Sequence, residues 1–253
     1  VKVAAVQFAP VFKDWKSNLA AIVALAQTAA QAGAKLIVLP ELCTTGYSFM
    51  SYEDAEPHAE HVEEYPEGWS RSNPPVSIFE MQKIVDTYSV GIAWGVASIA
   101  GVNRTNTLHN TQVFLSPGGF RHYNKINFYG NDYLWATPGT ESPPIVTWNG
   151  KRIGLMVCAD IRDKSDEIDD FYEPGDADIV AFSANFGAGA FPSKAWMRFV
   201  KRNKTTLIVS NRYGQEVNND FGFGGVCVIT PDQKVHCEGL KWKEPCIVYA
   251  DVP

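Results

Sequence analysis

Three side chains in this sequence, Glu41, Lys125 and Cys158, together could attack and open a carbon–nitrogen bond. A thiolate attacks an amide carbonyl or a nitrile carbon. A carboxylate nearby takes the thiol proton and later returns it to the leaving amine. An ammonium offers positive charge to the developing oxyanion, and the backbone N–H of Ala159, just after the cysteine, is a candidate second donor. Each of the three closes an apolar run: residues 36–39 with Pro40 before Glu41, 121–125 ending on Lys125, and 152–157 before Cys158. Open α/β sheets place their chemistry at the carboxyl ends of strands, so one crevice could collect all three. A histidine-based site has less support. His58, His61, His109, His122 and His236 fall in loops or in strand-like segments without a strand-end position.

The elements that must position these groups alternate between two periods. Residues 3–8 read as a strand. Residues 18–32 read as a helix, with Leu19, Ile22, Val23, Ala26, Ala29 and Ala30 on one face. Gly33 fits the C′ position that ends it. The run 36–39 reads as a strand buried on both faces. Residues 48–73 are polar and acidic and read as a long surface loop. A helix is expected over 76–88, and strands over 92–97, 111–115 and 121–125. Asn149-Gly150 between 145–148 and 152–157 is a hairpin signal. After the charged stretch 163–170 come a strand at 178–183, a helix at 194–203 and a strand at 206–210. Residues 225–230 and 247–252 read as edge strands paired with each other. No repeat or linker interrupts this pattern, so residues 1–253 are expected to form a single α/β domain.

Composition removes other classes. The net charge of −6 gives no concentration of Lys and Arg for phosphates, so nucleic acid is not an expected partner. No run approaches the ~18 apolar residues of a membrane span. The first residues read as a strand rather than a signal segment, and a cytoplasmic setting is expected. Five cysteines at irregular spacing do not read as a disulfide framework. Cys43 has no recognisable base or oxyanion donor beside it. Cys227, His236, Cys237 and Cys246 lack the short knuckles of structural zinc sites and read as strand-core residues, so no metal is expected. His58 and His61 are expected in solvent. Tyr129 and Trp135 read as core aromatics. Tyr47, Phe128 and Phe186, beside the motifs, read as pocket walls, with Asn185 as a further candidate.

The chain resembles the nitrilase superfamily, the carbon–nitrogen hydrolases, in its amidase-type branch. The resemblance rests on Val38-Leu39-Pro40-Glu41-Leu42 with Thr45-Gly46-Tyr47, on Tyr123-Asn124-Lys125-Ile126, and on the run 154–162 around Cys158-Ala159-Asp160. Supporting pieces are Ala4-Ala5-Val6-Gln7, Pro138-Gly139, Asn211-Arg212-Tyr213-Gly214 and Gly224-Gly225. The resemblance implies a four-layer αββα sandwich, a thioester acyl-enzyme and no cofactor. It implies Glu41 as general base and acid, Lys125 as oxyanion stabiliser and Cys158 as nucleophile. It also implies a homodimer with helices facing helices, or a larger homo-oligomer. Two departures stand out. Many members carry a second active-site Glu where this chain offers Asp132, one methylene shorter. The Phe-Pro-Glu that often follows the cysteine motif is replaced by Asp163-Lys164-Ser165. A small-molecule amide is the expected substrate. An N-carbamoyl amide, with Arg162 or Arg198 holding a carboxylate, a nitrile, and a catalytically idle binding homologue are the alternatives. A glutaminase serving a separate partner is a further one.

Overall fold

Along the first strand, Val3 and Ala5 bury one face while Ala4 and Val6 bury the other. A strand buried on both faces needs a layer on each side, and that requirement organises the molecule. The computed structural model describes residues 1–63, 75–101, 106–161, 171–187, 191–222 and 224–253. Arg162, the charged stretch 163–170 and the end of the 48–73 stretch lie outside the described residues.

In chain order the elements are β1 (Lys2–Gln7), α1 (Trp15–Gln31), β2 (Leu36–Val38), α2 (Tyr52–Ala55), α3 (Val76–Tyr88), β3 (Gly91–Ala100), β4 (Thr107–Ser116) and β5 (Gly119–Asn124). Then come α4 (Asp132–Trp135), β6 (Ile145–Trp148), β7 (Lys151–Val157), β8 (Ile179–Ser183), α5 (Lys194–Asn203) and β9 (Thr206–Ser210). The chain ends with β10 (Gln215–Glu216), β11 (Asn219–Asp220), β12 (Cys227–Ile229), β13 (Val235–His236) and β14 (Cys246–Asp251). Helix α1 starts three residues before the expected point, because the Asp14 side chain caps it by accepting from Ser17 N–H at 3.2 Å. Gly33 follows it at φ +88°, as a C′ residue should. Asn149 and Gly150 both hold positive φ between β6 and β7, the requirement of a two-residue hairpin turn.

The strands form two six-stranded sheets, ordered β14-β1-β2-β3-β4-β5 and β13-β12-β9-β8-β7-β6. Each has three parallel strands at its centre and antiparallel strands outside them. The expected pairing of 225–230 with 247–252 is corrected here. Strand β12 pairs with β9 and β13, whereas β14 crosses to the other sheet and pairs with β1 over its whole length. Two apolar strands near each other in sequence carry no label for the partner each will choose.

The inward faces of the sheets pack on each other: Leu36, Val38 and Ala93 from one meet the core around Leu155, Val157 and Ala181 of the other. Ile37, Leu39 and Trp94 face outward onto Ile22 and Ala26 of α1 and Ile78 and Met81 of α3. Trp196 and Phe199 of α5 join the core of the second sheet. The result is the expected four-layer αββα sandwich. Buried polar bonds pin the sheets in register. Ser183 Oγ donates to Leu39 O at 2.7 Å, Gln112 Nε2 to Ala181 O at 3.0 Å, and Ser210 Oγ to Val6 O at 2.6 Å. The first of these ties the strand end before Glu41 to the strand end before Asn185.

Candidate active site

Close backbone approaches set the three strand ends. Glu41 follows β2, and Gly95 of β3 lies directly against it. A Cβ at Gly95 would meet Leu42 N at 2.4 Å and Glu41 Cα at 2.6 Å, so only glycine fits. Lys125 follows β5, and its carbonyl accepts from Gly139 N at 2.9 Å. A Cβ at Gly139 would meet Asn124 O at 2.1 Å, which explains the glycine of Pro138-Gly139. Cys158 follows β7 with φ +43°, a left-handed conformation for a residue with a side chain. Such strain, of order 1–3 kcal/mol, persists where surrounding contacts hold it. Here Asp160 does so. Its carboxylate accepts from Val157 N, Asn127 N and Tyr123 Oη, each at 3.0 Å. Those partners flank both Cys158 and Lys125, so one carboxylate sets the spacing of two strand ends.

Beneath the cysteine lies a fully buried charged cluster. Lys125 Nζ donates to Glu41 Oε1 and to Asp132 Oδ2, both at 2.7 Å. Asn110 Nδ2 donates to the same two side chains, at 2.7 Å to Glu41 Oε1 and 3.0 Å to Asp132 Oδ1. Glu41 Oε2 is buried and has no hydrogen-bond partner among the described residues. Burial works against the charge on Lys125, but Asp132 and Glu41 outweigh it and hold the ammonium well above its ordinary pKa. Burial raises the Glu41 carboxyl, with Lys125 opposing. Burial and then the Glu41 charge push the Cys158 thiol well up, while Lys125 and the Asn185 backbone N–H pull it down. The thiol is therefore protonated at rest.

Cys158 opens onto a cavity of about 800 Å³. Of the residues expected around it, Tyr47, Phe128, Ala159, Asn185 and Phe186 line the wall. Glu41, Lys125 and Asp132 sit behind it, each fully buried. Neither amide atom of the buried Asn185 has a hydrogen-bond partner among the described residues. The far wall comes from the β10–β11 hairpin through Asn219, Asp220 and Phe221. A buried ion pair, Arg212 Nη1 to Glu216 Oε2 at 2.8 Å, anchors that hairpin. Glu216 Oε1 also accepts from Tyr47 N at 2.7 Å and Ser48 N at 2.8 Å, which ties both walls together.

The carbon-nitrogen hydrolase family profile matches residues 2–253. The chain belongs to the carbon–nitrogen hydrolase family. The resemblance to the nitrilase superfamily, the carbon–nitrogen hydrolases, is thereby borne out. Among relatives, a nitrilase of Pyrococcus abyssi is 29% identical over 244 residues, covering 93% of this chain and 83% of its own. A protein N-terminal amidase of Schizosaccharomyces pombe is 29% identical over 168 residues, covering 64% of this chain and 56% of its own. The fold matches the amidase of Nesterenkonia sp. AN1 at a TM-score of 0.78 and 21% identity, over 100% of this chain and 93% of that one. A cysteine variant of that amidase, solved in complex with butyramide, matches at the same TM-score and identity, over 100% of this chain and 91% of that one.

Within this hydrolase several expectations shift. Tyr129, expected in the core, is 70% exposed on the cavity rim, while Trp135 is core as expected. His58 and His61, expected in solvent, are half-buried, and His58 lies 5.8 Å from the Phe49 ring. Cys43 is buried with its thiol against Gly95 O at 3.5 Å and its pKa pushed up by burial to about 12, so it stays a structural thiol. Cys227 and Cys246 are buried as strand residues. Among the described residues, no group of three His, Cys, Asp or Glu could hold a metal ion. Among them also, no helix is long and apolar enough to cross a membrane. Arg198 is exposed on α5 and is not part of the cavity wall. Asn110 was missed by sequence reasoning. The only available signal was an amide amid the buried run of β4.

Proposed function

We propose that this hydrolase cleaves small-molecule amides to a carboxylic acid and ammonia through a thioester on Cys158. The observation that carries the reading is the unpartnered, buried Glu41 Oε2 beside a buried thiol. Glu41 takes the thiol proton as the sulfur attacks the amide carbonyl carbon. The oxyanion so formed meets the Lys125 ammonium and the Ala159 N–H. As the tetrahedral species collapses, Glu41 returns the proton to the leaving nitrogen and ammonia departs. Glu41 then deprotonates a water, which attacks the thioester. The carboxylic acid leaves and the thiol regains its proton. Asp132 and Asn110 hold Lys125 and Glu41 in position, with Asp132 in the place of the family's second Glu. Asn185, Tyr47, Phe128 and Phe186 bind the substrate.

Residues 1–253 act in this reading as one domain, in a cytoplasmic homodimer, which light scattering on the purified protein would test. The main experiment is ammonia release by Cys158→Ala. Turnover should be abolished, and wild-type protein exposed to an activated amide should gain one acyl mass on Cys158. Equal activity in the variant, or an unmodified Cys158, would end the proposal. The nitrilase of Pyrococcus abyssi among the relatives favours nitrile hydrolysis as the second reading. Matched nitrile and amide pairs separate the two by product.

A further inference from the structure

In the amidase reading the scissile amide must reach Cys158, which with Asn185 forms one part of the cavity wall. We infer that the acyl group of the substrate is large, apolar and aryl-bearing, with no carboxylate at its far end. This rests on the amidase reading of the same site and adds the chemistry of the substrate's tail.

Three observations support it. First, a cavity of about 800 Å³ lies in the upper part of the ~300–1,000 Å³ range of sites for drug-sized ligands. A two- to four-carbon amide would leave most of it to water. Second, the wall is built from rings already fixed by other rings. Phe128 meets Tyr133 edge-on with centroids 5.6 Å apart, Tyr47 meets Phe221 edge-on at 5.8 Å, and Phe186 packs on Trp196 at 5.2 Å. The Tyr47 hydroxyl is spent on Tyr129 O, so this residue offers the cavity its ring. Pre-organised aromatic walls suit an aryl group, which they can meet edge-to-face at little entropic cost. Third, among the described lining residues the charged side chain is Asp220, exposed on the β10–β11 hairpin. With a net charge of −6 on the whole chain, it repels a carboxylate at the substrate's far end.

The test is kcat/KM for ammonia release from butyramide, 4-phenylbutanamide and succinamic acid. Burying a phenyl ring should favour 4-phenylbutanamide over butyramide by about 10- to 100-fold. Succinamic acid should fall below butyramide. Phe221→Ala should shrink the aryl preference, and Phe221→Leu, which keeps apolar volume, should retain more of it. Asp220→Asn, an exposed change, should raise succinamic acid relative to butyramide several-fold. Butyramide equal to or better than the aryl amide, or a preference for succinamic acid, overturns the inference while leaving the amidase reading intact. No ammonia from any of the three, with no acyl adduct on Cys158, removes the amidase reading and the inference with it.

Discussion

Two buried ion clusters stand behind the cavity wall, and they differ in what they leave unspent. In the first, one ammonium, Lys125, serves two carboxylates, Glu41 and Asp132, so the formal charge is −1. In the second, Arg212 and Glu216 balance one to one. Every oxygen of Glu216 is engaged, and the leftover polar atom is a donor, Arg212 Nε. In the first cluster, among the described residues, the leftover atoms are acceptors, Glu41 Oε2 and Asn110 Oδ1. A leftover guanidinium N–H cannot exchange a proton at ordinary pH, because arginine stays protonated. A leftover carboxylate oxygen beside a thiol can. The charge-balanced cluster, whose carboxylate is fully bonded, therefore reads as architecture and the one with a carboxylate oxygen to spare as chemistry, although both are buried.

Exchanging one atom in each cluster tests that division. Glu41→Gln should keep its bond from Lys125 and lose the basic oxygen. The expected fall in kcat is about 10²–10⁴-fold, with circular dichroism unchanged. Single-turnover kinetics at saturating amide would measure it, and near-normal turnover removes Glu41 from the reaction. Glu216→Ala should have the opposite profile. It strands Arg212 in the interior and orphans the Tyr47 and Ser48 N–H groups, at about 3–5 kcal/mol of stability. Urea denaturation reads that loss directly. If Glu41→Gln unfolds the protein while Glu216→Ala leaves the urea midpoint in place, the division is inverted.

The cluster proposed as reactive was more legible in the sequence than the one around Arg212 and Glu216, for a physical reason. Glu41, Lys125 and Cys158 each end a strand, and strands announce themselves through period and β-branched content. The hairpin at Asn149-Gly150 was legible because few residue pairs accept two successive positive φ values. Glu216 sits in a strand of two residues, too short to show any period, at a turn where Val217 takes φ +51°. Asn110 lies mid-strand, and its role exists only because Glu41 and Asp132 come to it from residues 69 and 22 positions away. The partner of β14 was hidden for the same reason. Local pattern gives the element, while the long-range contact that gives it meaning has no local trace.

Asp160 stands between the two clusters in kind and should give the smallest effect. It is buried and each of its oxygens accepts a bond, yet among the described residues no cation bonds to it. Burial raises its carboxyl from the ordinary 3.8 to about 6, against the lowering pull of Lys125 and of those bonds. An unfolded chain releases this proton above its ordinary pKa, whereas the folded protein keeps it until about pH 6. Between those limits the native state binds more protons, so this group's contribution to stability declines as pH rises and then levels off. Asp160→Asn cannot titrate. The stability of wild type minus that of Asp160→Asn should therefore fall by roughly 1–3 kcal/mol from about pH 4 to pH 6, at ~1.4 kcal/mol per unit. Above pH 6 it should stay flat. Urea midpoints of the two proteins across that range measure it. A difference that rises with pH would mean that Asp160 is held as a carboxylate, and it would then belong with Glu216 among the saturated, structural acids.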